Sequence, residues 1–189
     1  DGSPDHTEEI AKKWVEKDAR FRYLFKENGR ISSARNAGIE IAKGEWILPL
    51  DADDKIGNQY LELAEKKFEN DYKVIYCATR FFGAKEGEWK LADFSLKTLA
   101  KFNILTCSAL YKKKDWIEIG GYDKRFVYGI EDYDFWISLL KNGGNVYKIN
   151  STLFYYRIKN ESRSINLINN YKTKMFDLLS IKHADFFVK

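Results

Sequence analysis

The chain has 189 residues, of which 44% are hydrophobic and 16% aromatic, and this is enough for one domain with a sizeable buried core. Its 32 basic and 28 acidic residues are interspersed and leave a formal net charge of +4, which argues against a dedicated nucleic-acid-binding surface. No apolar run approaches the ~18 residues that a membrane-spanning helix needs, so we expect a soluble, cytoplasmic protein.

Helices and strands alternate along the first part of the chain. A Ser-Pro pair predicts the start of a first helix over residues 3–18, and the aromatic segment 21–25 suits a strand. A helix is predicted over 32–44, where cap residues open the segment and a glycine closes it. The apolar run 45–50 then predicts a strand that is buried on both faces of a parallel sheet. This alternation indicates an α/β fold with an open, mostly parallel sheet flanked by helices.

The second part of the chain continues the pattern and ends in an amphipathic tail. Helices are predicted over 58–70 and 131–143, and strands over 73–83, 103–114, 145–149 and 152–158. In the tail, residues 165–189, apolar side chains recur near helical spacing: Leu167, Ile168, Tyr171, Met175, Leu178 and Leu179. We therefore predict a domain over 1–164, followed by a helix that packs on the core or on a partner subunit.

The cysteines and histidines limit the kinds of metal site to be considered. Cys77 and Cys107 lie in apolar runs without a CxxC spacing, so we expect small buried core residues in a reducing compartment. His6 and His183 stand near opposite ends of the chain, which disfavours a histidine-rich zinc site. Any metal ion is therefore expected to have oxygen ligands.

Three carboxylates follow an apolar run in the segment 46–54, WILPLDADD. Like charges this close repel one another, so we expect a metal ion or a cationic side chain to hold them together. Asp51 and Asp53 suit Mg²⁺ or Mn²⁺, whereas a calcium loop is disfavoured because Ile56 stands where glycine is required. Capping of the next helix by Asp53 and Asp54 is the alternative interpretation.

A second pair of acidic residues opens the predicted helix over 131–143. Asp132 lies within helical reach of Phe135 and Trp136, and these bulky apolar side chains would raise the pKa of Asp132. We therefore predict Asp132 as a general base. Glu131 is the second candidate, because adjacent helical residues point about 100° apart and one of them faces a substrate. A purely structural role for the pair, favouring the helix dipole, stays open.

Five motifs in order give the chain a family resemblance that covers most of residues 1–157. The sequence resembles the family two inverting glycosyltransferases of the GT-A fold. The motifs that carry the resemblance are Asp1–Ser3, Asn28–Gly38, Asp51–Asp54, Gly120–Asp123 and Glu131–Trp136.

The resemblance implies sugar transfer from a nucleotide diphosphate sugar, with UDP-sugar as the expected donor, to a sugar or glycolipid acceptor in polysaccharide or glycoconjugate synthesis. Asp1 is similar to the acid that binds the nucleotide base, Arg35 to a basic residue of the nucleotide pocket, and Asp51 to the acid near the ribose. Asp53 resembles the metal ligand, with Mg²⁺ or Mn²⁺ as cofactor, and Asp132 the base. From the residues alone, Arg35 could equally form a surface ion pair.

Two departures from the family pattern bear on activity. The chain begins after the strand, helix and strand that usually open the family, and Lys159 stands where many relatives have His. The missing segment favours a catalytically inactive carbohydrate- or nucleotide-binding module as one alternative. A sugar-phosphate nucleotidyltransferase, which shares a similar layout and metal use, is the other alternative. No nucleic-acid partner is expected, whereas a homodimer and peripheral association with the inner face of the cell membrane stay open.

Overall fold

A computed structural model describes residues 1–160 and 163–188, with the side chains of the C-terminal helix described from residue 170 onward. The helices are α1 (Thr7–Lys17), α2 (Arg30–Ile41), α3 (Tyr60–Glu65), α4 (Leu96–Leu99), α5 (Lys113–Glu118), α6 (Glu131–Leu140), α7 (Arg163–Lys182) and α8 (Ala184–Phe187). The strands are β1 (Trp46–Ile47), β2 (Lys55–Ile56), β3 (Tyr72–Gly83), β4 (Gly87–Trp89), β5 (Leu110–Lys112) and β6 (Asn145–Ile158). None of the described helices combines the length and apolar content needed to cross a bilayer.

The strands form one mixed sheet in the order β1–β5–β3–β6–β2, with β4 beside β3. The central pair β3–β6 is parallel, but the other described pairs are antiparallel, so the expectation of a mostly parallel sheet is corrected. The two late strands that were predicted separately are one strand, β6. Asn150 and Ser151 form only an irregularity between the pairs Cys77–Ile149 and Ala78–Thr152, and pairing with β3 continues on both sides of it.

The central strand β3 is apolar because both of its faces are covered. Val74 and Tyr76 point into a core beneath α6, whereas Ile75 and Cys77 point into a second core that also contains Tyr60 of α3. Successive side chains alternate between the two faces of a strand, so a continuous apolar run is what two-sided burial requires. The predicted strand over 73–83 is confirmed, and so is the burial of Cys77.

The N-terminal part departs most from the sequence-based expectations. The first helix begins at Thr7, with His6 as its N-cap, so the predicted start at the Ser-Pro pair is wrong. Residues 21–25 form no strand, and Phe25 is 60% exposed, because no strand among the described residues pairs with this segment. The run 45–50 forms only the two-residue strand β1, which pairs with β5. Pro49 follows two residues later and has no backbone N–H to donate to a neighbouring strand.

The C-terminal helices contact the rest of the domain through apolar and charged side chains. Met175 and Leu179 of α7 are buried in the core beneath α6. His183 Nε2 lies 2.8 Å from Asp134 Oδ1, and both residues are almost fully buried. Leu167 and Ile168 of the predicted apolar stripe lie outside the described side chains, and the division of the chain near residue 164 stays a prediction.

Candidate functional site

One cleft of about 480 Å³ lies where the first half of α2, the loop after β1 and the start of α6 meet. Of the six residues singled out from the sequence, the cleft is lined by Asp1, Arg35, Asp51, Glu131 and Asp132. The sixth, Asp53, is two residues from Asp51 but turns toward the end of β6. The fold therefore brings together acids and a cation that are far apart in the chain.

Arg35 connects the two acidic segments. Its Nη1 donates to Glu131 Oε1 and its Nη2 to Asp51 Oδ1, both at 2.9 Å, and its side chain is only 9% exposed. The guanidinium carbon also lies 5.4 Å from the centre of the buried Tyr122 ring. The alternative of a surface ion pair is thus wrong, because one buried fork of donors holds two carboxylates in a fixed geometry.

The acidic loop contains a group of possible metal ligands. Atoms of Asp51, Asp54 and Cys107 lie within 4.8 Å of one another. Burial raises the pKa of the Cys107 thiol well above its ordinary value, so the thiol stays protonated and donates to Asp51 Oδ2 at 3.8 Å. Burial also raises the pKa of Asp54 to about 6, and its buried Oδ2 has no hydrogen-bond partner within the part of the chain that the structure describes. Two carboxylates are therefore suitably placed for a hard cation.

Asp53 is held by positive side chains from the end of β6. Its Oδ2 lies 2.6 Å from Lys159 Nζ, and its backbone carbonyl accepts a 2.7 Å bond from Arg157 Nε. The backbone N–H of Arg157 donates to Asp54 Oδ1 at 2.8 Å. The positive charge that we expected to hold the carboxylates of this loop together is thus supplied, at least at Asp53, by side chains of the protein.

Capping does not explain the acidic loop. Helix α3 begins at Tyr60 and its N-cap is Gln59, five residues beyond Asp54. Lys55 and Ile56 instead form β2, which pairs with β6 and also rules out a calcium-binding loop here.

The start of α6 holds one buried candidate base, Glu131, and one half-buried candidate, Asp132. Burial, followed by the repulsion of Asp132, raises the pKa of Glu131 to about 7, although Arg35 acts in the opposite direction. Burial likewise raises the pKa of Asp132, whose Oδ2 accepts from Asn103 Nδ2 at 3.1 Å and whose Oδ1 accepts from the Tyr133 N–H at 2.8 Å. A carboxylate whose pKa is raised above its ordinary value is better suited to accept a proton from a substrate hydroxyl.

Asp1 stands at the other end of the cleft, beside the first turn of α2. Its Oδ1 accepts from the backbone N–H of Gly29 at 2.9 Å and lies 2.6 Å from Lys26 Nζ. Gly29 is the N-cap residue of α2, so the carboxylate satisfies a free backbone donor near the positive end of the helix dipole.

Asn36 is a positioning residue that was not predicted. Its side chain donates to the carbonyl of Tyr122 and accepts from the Tyr122 N–H, both at 2.8 Å, and it also accepts from Trp116 Nε1 at 3.1 Å. These bonds fasten the glycine loop before α6 to the helix that carries Arg35. The sequence signal that could have identified Asn36 is an asparagine inside a helical pattern, because the asparagine side chain tends to form hydrogen bonds with backbone groups.

Most of the aromatic residues near the site belong to the core. Tyr122 and Trp136 are almost completely buried, and Tyr122 stacks on Phe135 with ring centroids 4.2 Å apart. Tyr128 lines the cleft but stacks on Tyr171 at 3.9 Å. Stacking on a sugar face is thus excluded for Tyr122 and Trp136 in this conformation.

Comparison with known proteins identifies relatives of the chain. The family model "Glycosyl transferase family 2" matches residues 1–133. Chondroitin synthase of Pasteurella multocida is 27% identical over 184 residues, which are 93% of this chain and 19% of that protein. The chain spans between 19% and 63% of the length of three curated glycosyltransferases that it matches.

Solved structures share the fold. TarS residues 1–349 of S. aureus, in complex with UDP-GlcNAc, superposes with a TM-score of 0.71 at 16% identity, covering 87% of this chain and 50% of that one. The mannosyltransferase PcManGT of Pyrobaculum calidifontis, in complex with GDP-Man and Mn²⁺, gives a TM-score of 0.64 at 15% identity, covering 85% and 47%. The predicted α/β fold of GT-A type is therefore confirmed.

Proposed function

Since the chain belongs to glycosyl transferase family 2, we propose that it transfers a sugar from a nucleoside diphosphate sugar to an acceptor hydroxyl with inversion at the anomeric carbon. The observation that carries the proposal is the buried Arg35 fork, which holds an acid of the loop after β1 against the first residue of α6. A uridine donor is the first candidate, because TarS is described with UDP-GlcNAc. The proposed acceptor is a sugar or glycolipid at the inner face of the cell membrane, in polysaccharide or glycoconjugate synthesis.

Asp132 is the proposed general base. The carboxylate of Glu131 is engaged by Arg35, whereas Asp132 accepts only from the amide of Asn103 and from its own helix among the described residues. In the proposed step, the acceptor oxygen forms a bond to the anomeric carbon while the bond to the diphosphate breaks. The diphosphate leaves with the electron pair of that bond, and Asp132 takes the hydroxyl proton. Attack opposite the leaving group inverts the anomeric carbon.

The nucleotide is proposed to lie between Asp1 and Asp51. Asp1, held by Gly29 and Lys26, would accept from an N–H of the base, and Asp51 would accept from a ribose hydroxyl. Gly29 orients one oxygen of Asp1, and Arg35 and the weaker Cys107 thiol donor orient the two oxygens of Asp51, so both carboxylates are positioned before a ligand binds.

A divalent cation, Mg²⁺ or Mn²⁺, fits the acidic loop. Asp53 stays the proposed metal ligand, and Asp51 and Asp54 of the same loop offer further carboxylate oxygens, the ligands that these ions prefer. The buried Oδ2 of Asp54 has no partner among the described residues. The protonated Cys107 thiol is not a suitable ligand for a hard cation. A bound ion would neutralise charge on the departing diphosphate, and PcManGT is described with Mn²⁺.

The proposal is tested by calorimetric titration of UDP with and without Mn²⁺, followed by transfer assays with the variant Asp132→Asn. We expect Asp132→Asn to bind UDP normally but to transfer sugar about 10²–10⁴-fold more slowly, because the positioned base is lost. Asp93→Asn, at an exposed acid paired with Lys148, is the matched control and should leave the rate unchanged. Normal transfer by Asp132→Asn would reject it as the base. UDP binding without transfer by the unaltered chain would favour the binding-module alternative.

A further inference from the structure

The acidic loop already has a cationic partner at the carboxylate expected to bind metal. Lys159 Nζ lies 2.6 Å from Asp53 Oδ2, and about half of each side chain is exposed, at 51% and 42%. The loop on which Asp53 lies is fastened to β6 by Arg157, through bonds to the Asp53 carbonyl and to Asp54. The ammonium of Lys159 thus contacts a carboxylate whose backbone is fastened to β6.

We propose that Lys159 competes with a divalent cation for Asp53, so that the chain alone binds the cation weakly and binds it tightly only after Lys159 has moved away. An ammonium and a divalent ion beside one carboxylate repel each other. When an ammonium lies about 4 Å from a divalent ion, their repulsion lowers the affinity for the ion on the order of tenfold even in a water-like dielectric. A lysine on a flexible four-carbon stem can leave this position without moving the backbone.

The diphosphate of the donor is the anion proposed to draw Lys159 away. This step rests on the proposed function, because it requires a nucleoside diphosphate beside the acidic loop. Once the ammonium pairs with a phosphate oxygen, Asp53 would be free to hold the cation, whose charge would also favour the diphosphate. Cation and nucleotide then bind cooperatively, and each tightens the binding of the other by the same factor.

Mn²⁺ binding measured by electron paramagnetic resonance, with calorimetry for UDP, tests the proposal without any transfer assay. The variants are Lys159→Ala and the matched control Lys55→Ala. Lys55 lies two residues from Asp53 and carries the same charge, but its ammonium sits 4.8 Å from the centre of the Phe82 ring and forms no ion pair among the described residues. The control therefore removes a positive charge from the same rim of the sheet without freeing the carboxylate.

In the absence of UDP, we expect Lys159→Ala to bind Mn²⁺ at least tenfold more tightly than the unaltered chain, and Lys55→Ala to change the affinity less than threefold. The gain should disappear in the double variant Asp53→Asn, Lys159→Ala, because the carboxylate is gone. Saturating UDP should raise the Mn²⁺ affinity of the unaltered chain far more than that of Lys159→Ala.

Equal Mn²⁺ affinities of Lys159→Ala and Lys55→Ala, or weaker binding by Lys159→Ala, would overturn the competition. If UDP binds to no variant, the proposed transferase function fails, and the Mn²⁺ measurements without UDP still decide whether Lys159 competes for Asp53. If UDP raises the Mn²⁺ affinity of the unaltered chain and of Lys159→Ala equally, the diphosphate is not what displaces the lysine and that step is rejected.

Discussion

Replacing Arg35 by Met tests whether the guanidinium is the electrostatic centre of the site. Methionine has a similar length and keeps the apolar contacts of the side chain, but it leaves Asp51 and Glu131 without their shared donor. Glu131 is buried, so its carboxylate cannot recover the lost interaction from water. The domain should therefore lose stability, because the buried Glu131 must either stay charged without its counter-ion or take up a proton.

The size of the loss follows from the burial of the pair. Removing one partner of a buried ion pair costs about 3–5 kcal/mol. Because a chain of this size loses about 2–4 °C of melting temperature per kcal/mol, Arg35→Met should melt about 6–20 °C lower than the unaltered chain. The exposed ion pair of Arg20 with Asp18 provides the control, and Arg20→Met should leave the melting temperature almost unchanged.

Thermal and urea unfolding, followed by circular dichroism, measure these effects. A second substitution, Glu131→Gln, should restore part of the stability of Arg35→Met, because it removes one of the two carboxyl groups left without their donor. Equal melting temperatures for Arg35→Met and Arg20→Met would refute the assignment of Arg35 as a buried counter-ion. A double variant no more stable than Arg35→Met would show that Glu131 does not carry the cost.

Two further predictions concern the loops around the cleft. Gly121→Ala should destabilise the domain more than Gly120→Ala in urea unfolding, because both glycines have positive φ (+76° and +79°) but only at Gly121 would a Cβ lie 2.8 Å from Trp116 Nε1. Asp54→Asn should gain stability relative to the unaltered chain as the pH rises from 4 to 7 in EDTA. Burial raises the pKa of Asp54 to about 6, so the folded chain keeps a proton at a pH at which the unfolded chain has released it. The stability that this proton provides to the unaltered chain is lost as the pH rises through about 6, and the asparagine variant has no such loss. Equal losses for the two glycine variants, or a stability difference for Asp54→Asn that does not vary with pH, would contradict these assignments.

The elements predicted well are those whose local pattern agrees with their surroundings. The strand over 73–83 and the helix at Glu131 have apolar residues at positions that the sheet and the core require, so β3 and α6 appear close to their predicted bounds. The segment 21–25 has equally strong strand propensity but forms no strand. Pairing is a property of two segments, and propensity describes only one of them.

The candidate site could be predicted as a set of residues but not as a set of contacts. The motifs named the acids and Arg35, and the fold places most of them around one cleft. The bond from Asn36 to Tyr122 and the ion pair of Lys159 with Asp53 join residues 86 and 106 positions apart in the chain. Such partners depend on the packing of α2 and on the path of β6, neither of which a local pattern specifies.

The parallel pairing of β3 with β6 has a consequence for the order in which the domain can form. Tyr72 pairs with Asn145, about 70 residues later, so β3 leaves the ribosome roughly 4–15 s before its central neighbour at ordinary rates of synthesis. During that interval β5 can already pair with one edge of β3, but the other edge stays open. Pairing over so long a separation folds slowly. The nascent chain therefore presents an apolar strand that a chaperone could bind until the last third of the domain has been made.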